Sequence, residues 1–408
     1  MQSKICVLGR QPNISLAELE TLYGAAALVP FSPTSTLLMA DQFDIQKVGG
    51  IIKAGNVLFH LRHATWDIVH KKIIHHYSTS WRTLQHKQTI GISIYDWNIS
   101  PRESAKVLTE LKHTLKRTGV SLRIVPATEP ALNTASSHHN KLGLAPNKTE
   151  LLIIRGTDGS VVIAESTGAQ NITALAARDQ GRPKRDAFVG MLPPKLALTM
   201  VNLAAGGITG NGVENEDARA FVGNHEAMPT ILDPFCGTGV LLQEAALRGY
   251  NIYGTDLSEK MVDYSIANLQ WAKQKYRLST AVTIHLGDAI ETHWQQPINA
   301  VASETYLGQP FSAPPSPAKL TQVRGNCNEI IKKFLLNLAP QIASGTPLCL
   351  AVPAWRDTQG RFTHLPLIAR LEELGYQARP LQHVRHNDLI YYREDQVVAR
   401  QLLVLVKS

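Results

Sequence analysis

Asp233, Gly237, Gly239 and Asp256 carry the clearest chemical signal in this chain. All four fall within TILDPFCGTGVLLQEAALRGYNIYGTD, residues 230–256. An apolar lead-in, an acidic residue, a Gly-rich turn, a helix-like segment and a second apolar run ending in Asp predict a strand–turn–helix–strand unit. In such a unit the glycines let the backbone turn beneath a ligand with no Cβ in the way. Asp256 follows Gly237 by 19 positions, a spacing at which a carboxylate accepts both hydroxyls of a ribose. A nucleoside cofactor is expected.

Two cofactor classes compete for this unit. A dinucleotide fingerprint needs a third glycine three residues after the second, but that position, Leu242, is not glycine. Asp233, just before the turn, repels a pyrophosphate and suits the ammonium of an amino-acid moiety. S-adenosylmethionine has that ammonium, so it is the expected cofactor. By position, Asp288 at the end of the next strand bonds the adenine amino group, and Phe235, Leu257 and Ala289 are further expected contacts. Cys236 sits inside the turn as a small residue that fits, not as a nucleophile.

The elements that must hold these residues alternate. After the opening unit come a capped helix over SEKMVDYSIANLQWAKQKY, a strand ending at Asp288, and a fourth strand ending at Ser303 to Tyr306. A Pro-rich loop, a long helix from Pro317 to about Leu338, a fifth strand, a helix over 364–374 and a final long hairpin follow. Alternating strands and helices closed by a hairpin predict an α/β, Rossmann-like domain with a mostly parallel seven-stranded sheet and an antiparallel edge. Before it, MLPPKLALTMVNLA reads as a helix with prolines in its first turn, and 206–229, rich in Gly and Asn, as a mobile loop.

The first half has a different character. The chain carries a net charge of +8, and all of it falls in residues 1–190, with 22 Lys plus Arg against 14 Asp plus Glu; residues 191–408 balance at 19 and 19. A basic appendix on a neutral catalytic module suits a polyphosphate partner. Its pattern is α+β: a strand over 4–9, a helix capped by Ser15 and stopped at Gly24, further strands near 35–39 and 91–98, a Pro-initiated helix over 101–118, and a hairpin joined by GTDG. ALNTASSHHNKLG, residues 131–143, suits phosphate contacts through Asn140 and Lys141, although hydroxyl clusters are also ordinary helix caps. The segment 171–190 reads as a basic linker whose Arg182, Lys184 and Arg185 can clamp a phosphodiester backbone.

The four cysteines form no CxxC pair, so neither a disulfide framework nor a zinc site is expected. His75 and His76 are adjacent and point apart, so no metal site is expected there either. No apolar run reaches the length of a membrane span, and the N-terminus lacks a signal-peptide pattern. A soluble cytoplasmic protein with no membrane partner is the expectation.

With these motifs in place, the chain resembles the THUMP-containing tRNA guanosine N2-methyltransferases of the archaeal and eukaryotic position-10 type, within the class I S-adenosylmethionine-dependent superfamily. GRQPNISLAELETLYG, TASSHHNKLG, RDQGRPKRDAFVGMLPPKLALTMVNLA and ILDPFCGTG carry the resemblance. It implies a ferredoxin-like domain over 1–85, a THUMP-like RNA-binding domain over 86–168, a basic linker over 169–190 and a methyltransferase domain over 191–408. It further implies tRNA as partner and N2-methylguanosine as product, and it admits a small activator subunit, as in eukaryotic relatives.

One departure stands out. The family carries [D/N]-P-P-[Y/F] after the fourth strand, where the acid or amide accepts a bond from the target amine and the ring stacks on the flipped base. The aligned residues here are Ser303, Glu304, Thr305 and Tyr306. Tyr306 keeps the stacking role, Ser303 replaces the acceptor, and Glu304 is the substitute expected one residue later. A cofactor- or RNA-binding protein with a degenerate loop and a DNA-directed methyltransferase are the alternatives.

Overall fold

The structure, a computed structural model, describes residues 3–186, 192–206, 228–295 and 297–408. Two compact units divide the chain: Met1–Pro12, Ala26–Gln46 and Gly50–Thr173 form one, and Asn13–Ala25, Lys47–Gly49 and Ala174–Ser408 the other. The first helix, α1 (Pro12–Tyr23), therefore lies almost wholly in the second unit.

The first unit is built on one eight-stranded sheet. Its strands are β1 (Ser3–Leu8), β2 (Leu28–Ser32), β3 (Ser35–Met39), β4 (Ile51–Leu61), β5 (Gln88–Tyr95), β6 (Leu122–Ile124), β7 (Lys148–Arg155) and β8 (Val161–Ala169), in the order β2-β3-β1-β4-β8-β7-β5-β6. The sheet runs without a break across residue 85, because β4 pairs antiparallel with β8. The run Leu151–Ile154 is buried on both faces, which accounts for its lack of polar alternation. Leu151 and Ile153 pack with the helices α2 (Trp66–Ser80) and α3 (Pro101–Lys116), while Leu152 and Ile154 pack with Ile5, Val7 and Leu37. Ser100 starts α3 with a capping box to Glu103, and Val107, Leu108, Leu111 and Leu115 supply its buried stripe. The short helix α4 (Thr134–His139) is capped by Asn133, whose side chain accepts from Ser136 N at 2.7 Å.

The second unit holds α5 (Ile172–Gln180) and α6 (Pro194–Ala205), then β9 (Thr230–Asp233), α7 (Val240–Leu247), β10 (Asn251–Asp256), α8 (Glu259–Tyr276), β11 (Val282–Leu286), β12 (Ala300–Glu304), α9 (Pro317–Leu338), β13 (Pro347–Arg356), β14 (Phe362–Thr363), β15 (Tyr376–Ala378), β16 (Ile390–Tyr391) and β17 (Val398–Lys407). The main sheet order is β11-β10-β9-β12-β13-β17-β15. The first five are parallel and β17 runs antiparallel to β13. Winding reverses between β9 and β12, the place where open α/β sheets leave a crevice. Gly254 lets α7 settle on β10, since a Cβ there would lie 2.5 Å from Leu242 Cδ1.

Several local expectations change. Ser15 does not cap α1: the helix begins at Pro12, whose fixed φ suits a first turn, and Ser15 is buried inside it. Residues 364–374 form two short 3₁₀ turns, Pro366–Arg370 and Glu372–Leu374, not one helix, and Gly375 ends them at φ +85°. The basic linker is partly helical, as α5. The final hairpin is lopsided, with ten residues in β17 against three in β15. Most of the expected 206–229 loop lies outside the described residues. No described helix is long and apolar enough to cross a membrane.

Candidate cofactor and acceptor site

A cavity of about 500 Å³ opens at the carboxyl ends of β9, β10 and β12. Asp233, Phe235, Gly237, Asp256, Leu257, Asp288, Ala289, Glu304 and Tyr306 all line it. Gly239 and Ser303, expected at the same site, stand behind the wall and shape it.

The turn between β9 and α7 is the floor. Gly237 and Gly239 adopt φ of +52° and +78°, which an L side chain rarely takes. A Cβ on Gly237 would meet only Phe235 O, at 4.0 Å, whereas one on Gly239 would lie 3.0 Å from Ser265 Oγ. From α8, Ser265 Oγ donates to Gly237 O at 2.7 Å and Asn268 Nδ2 to Thr238 O at 2.8 Å. These bonds fix the turn before any ligand arrives.

The carboxylates are held as firmly. Asp256 Oδ2 accepts from Gly237 N and Oδ1 from Ser258 N, both at 2.9 Å, which orients the carboxylate at the tip of β10. Asp288 Oδ1 accepts from Ile290 N at 3.1 Å. Asp233 is almost fully buried, and its Oδ1 accepts from Ser303 Oγ at 2.6 Å and Phe235 N at 3.2 Å. Burial pushes the Asp233 carboxyl up to about 7, the two hydrogen bonds oppose this, and the charges of Asp256 and Glu304 add to it. Burial also pushes the Cys236 thiol well above its ordinary range, so it is no nucleophile at neutral pH. Phe235 packs edge-to-face on Phe334 at 5.1 Å.

The acceptor side departs from the expected geometry in an informative way. Ser303 is fully buried and its hydroxyl is spent on Asp233, so it does not face the cavity. Glu304 lines the cavity but is ion-paired with Arg400 of β17. Thr305 donates twice to Ala351 O, from N and from Oγ1, each at 3.0 Å. That double tether stiffens the loop where two prolines were expected. Tyr306 is 45% exposed at the mouth, the posture of a stacking ring. Gly308, at φ +81°, leaves no room for a Cβ, which would lie 3.0 Å from Val323 Cγ1 and 3.1 Å from Cys327 Sγ.

The basic candidates separate. Arg182 is a correction: its side chain is buried, with Nη1 donating to Thr238 Oγ1 at 3.1 Å and Nη2 to Asp179 Oδ1 at 3.3 Å, so it braces the floor turn and offers nothing to RNA. Lys184 and Arg185 are exposed, and the Lys184 ammonium lies 5.6 Å over the Tyr264 ring. In the first unit, half-buried Asn140 is engaged locally, donating to Ser136 O at 2.9 Å and accepting from Arg123 Nη2 at 3.2 Å. Lys141 is exposed at φ +55°. Sequence reasoning missed Arg400, Ser265 and Asn268, and placed Thr305 in the loop without a role. Only Ser265 and Asn268 left a trace, as polar residues on the face of α8 that the helical pattern turns inward.

Comparison with known proteins bears on the fold that holds this site. Residues 218–322 match UPF0020, a family described as an RMKL-like methyltransferase domain. The crystal structure of TrmN from Thermus thermophilus superposes with a TM-score of 0.51 at 15% identity over 100% of both chains. The fold is that of the class I methyltransferases. Two curated tRNA (guanine(10)-N2)-dimethyltransferases are similar in sequence to this methyltransferase-fold chain. That of Methanothermobacter thermautotrophicus is 28% identical over 183 residues, 44% of this chain and 45% of the relative; that of Methanocaldococcus jannaschii is 27% identical over 236 residues, 56% and 58%. The matched segments span about half the length of these relatives.

Proposed function

We propose that this protein is an S-adenosylmethionine-dependent tRNA methyltransferase that forms N2-methylguanosine. One observation carries the cofactor: Asp233, Asp256 and Asp288 converge on a single cavity floored by a positive-φ glycine turn. That field repels a pyrophosphate and fits a cationic nucleoside. The similarity to curated tRNA guanine methyltransferases supports the acceptor.

S-adenosylmethionine supplies an electrophilic methyl group on a sulfonium. The chain's residues do the rest. Asp233 and the floor turn hold the amino-acid end, Asp256 accepts from the ribose hydroxyls, and Asp288 bonds the adenine amino group with Leu257 and Ala289 alongside. Tyr306 stacks on the flipped guanine. Glu304 accepts a hydrogen bond from the exocyclic amine and takes its proton late, and the ion pair with Arg400 keeps that carboxylate aimed. Positioning of this kind accounts for much of the rate of a group transfer. In the first unit, 86–168 act as the THUMP-like RNA-binding part, with Lys141, and Lys184 and Arg185 from the linker, on phosphates.

A second reading has its own observation. Because Arg400 already neutralises Glu304, a protein that binds cofactor and RNA without transfer also fits the loop. Incubation with labelled S-adenosylmethionine and, in parallel, unmodified tRNA, DNA or no acceptor separates the two. Label in tRNA alone supports the enzyme, whereas intact cofactor binding with no label in tRNA refutes it.

A further inference from the structure

We propose that a cleft in the first unit, lined by Trp66, Trp97, Arg155 and His63, binds one unpaired nucleobase of an RNA strand and its phosphate. The cleft has a volume of about 340 Å³, at the small end of ligand sites and of a size for a single base. Trp66 opens α2 and Trp97 follows β5; their rings meet edge-to-face at 5.6 Å and 87°. Both are half-buried, anchored on the core beneath the sheet, so the aromatic surface is held rigid. The exposed Arg155, at the end of β7, lays its guanidinium 5.3 Å from the Trp97 centroid.

Aromatic rings and a guanidinium plane are the two kinds of surface on which unpaired bases stack, here with Arg155 over the Trp97 ring, and the guanidinium also donates to phosphate. The cleft wall itself carries the cation Arg155 and no carboxylate. Arg155 and His63 face the cleft, with exposed Arg62 just before His63. The acidic neighbours are otherwise engaged: Asp96 Oδ2 accepts from Ser32 Oγ at 2.5 Å and Thr34 Oγ1 at 2.6 Å, Asp158 Oδ1 accepts from Ser160 N and Oγ, and Asp67 lines a separate groove with His70 and Lys71. His63 is held at φ +48°, an uncommon conformation for a residue with a Cβ.

This cleft is separate from the Asn140–Lys141 turn. Gly143 N donates to Lys148 O at the start of β7, and Arg155 is the last residue of that strand, so the two stand at opposite ends, ~23 Å apart at ~3.3 Å per residue. The proposal rests on the RNA-directed reading above and adds a second contact point to it.

The test is the affinity of the full chain for a labelled single-stranded RNA oligonucleotide, measured by fluorescence anisotropy for wild type, Trp97→Phe, Trp97→Leu and Arg155→Ala, with melting curves as a fold check. Trp97→Phe should stay within about twofold of wild type, while Trp97→Leu and Arg155→Ala should each weaken binding about tenfold or more. Folded Trp97→Leu and Arg155→Ala proteins with wild-type affinity would overturn the cleft and leave the RNA reading intact. No binding by wild type would overturn both. A loss with Trp97→Leu alone would also overturn the proposal, because a proline-rich or methylammonium ligand needs the indoles and not Arg155.

Discussion

Asp233 titrates near pH 7 because burial disfavours its charge. An ammonium bound beside it favours the ionised form, so the affinity for S-adenosylhomocysteine should rise as pH increases through about 7, and Asp233→Asn should flatten that profile in calorimetry. Stability has the opposite sign. The folded pKa lies above the unfolded value of 3.8, so the contribution of this residue is fully present below that value and is lost as pH rises through about 7. Asp233→Asn should therefore raise the melting temperature more at pH 8 than at pH 5. At Glu304, replacement by Ala should cut turnover about 10²-fold or more with cofactor affinity unchanged; unchanged turnover would show that Glu304 is not the acceptor. The cofactor residues were legible because a turn and two strand ends place them close in sequence. Arg400 was not, because it meets Glu304 from 96 residues away across the sheet, and no local pattern encodes that pairing.

Element by element, the opening strand–turn–helix–strand unit was the most legible part of the chain. Its glycines and its apolar period both follow from local geometry. Less legible was α1. Its helical character shows in the sequence, but its place in the second unit does not, because that is set by two buried carboxylates. Glu18 is fully buried and accepts from Gly49 N at 2.8 Å and Asn202 Nδ2 at 2.7 Å, while Glu20 accepts from the backbone of Gln382 and His383. Removing Glu18 takes a buried acceptor from Gly49 N and from Asn202 Nδ2. Glu18→Ala should thus cost about 3 kcal/mol in chemical denaturation. Arg182 teaches the converse lesson. A cluster of basic residues in a linker reads as a solvent-facing clamp, yet one member was drawn inward by Asp179 and Thr238.

For the molecule as a whole, the uneven charge makes the strongest statement. All of the +8 excess lies in the first 190 residues, so RNA affinity should depend steeply on salt. If roughly four phosphates are neutralised, binding should weaken about 10²-fold between 50 and 200 mM salt, and Lys184→Ala should lower the slope of log affinity against log salt by about one. The sheet of the first unit was only partly legible, since β2 was not foreseen and the pairing across residue 85 depends on long-range register between β4 and β8. The most direct measurement is methyl transfer to unmodified tRNA from labelled S-adenosylmethionine, followed by digestion to nucleosides and identification of the labelled one. Label in N2-methylguanosine or its N2-dimethylated form is the predicted result; label in any other nucleoside, or none while the protein binds cofactor, would contradict it.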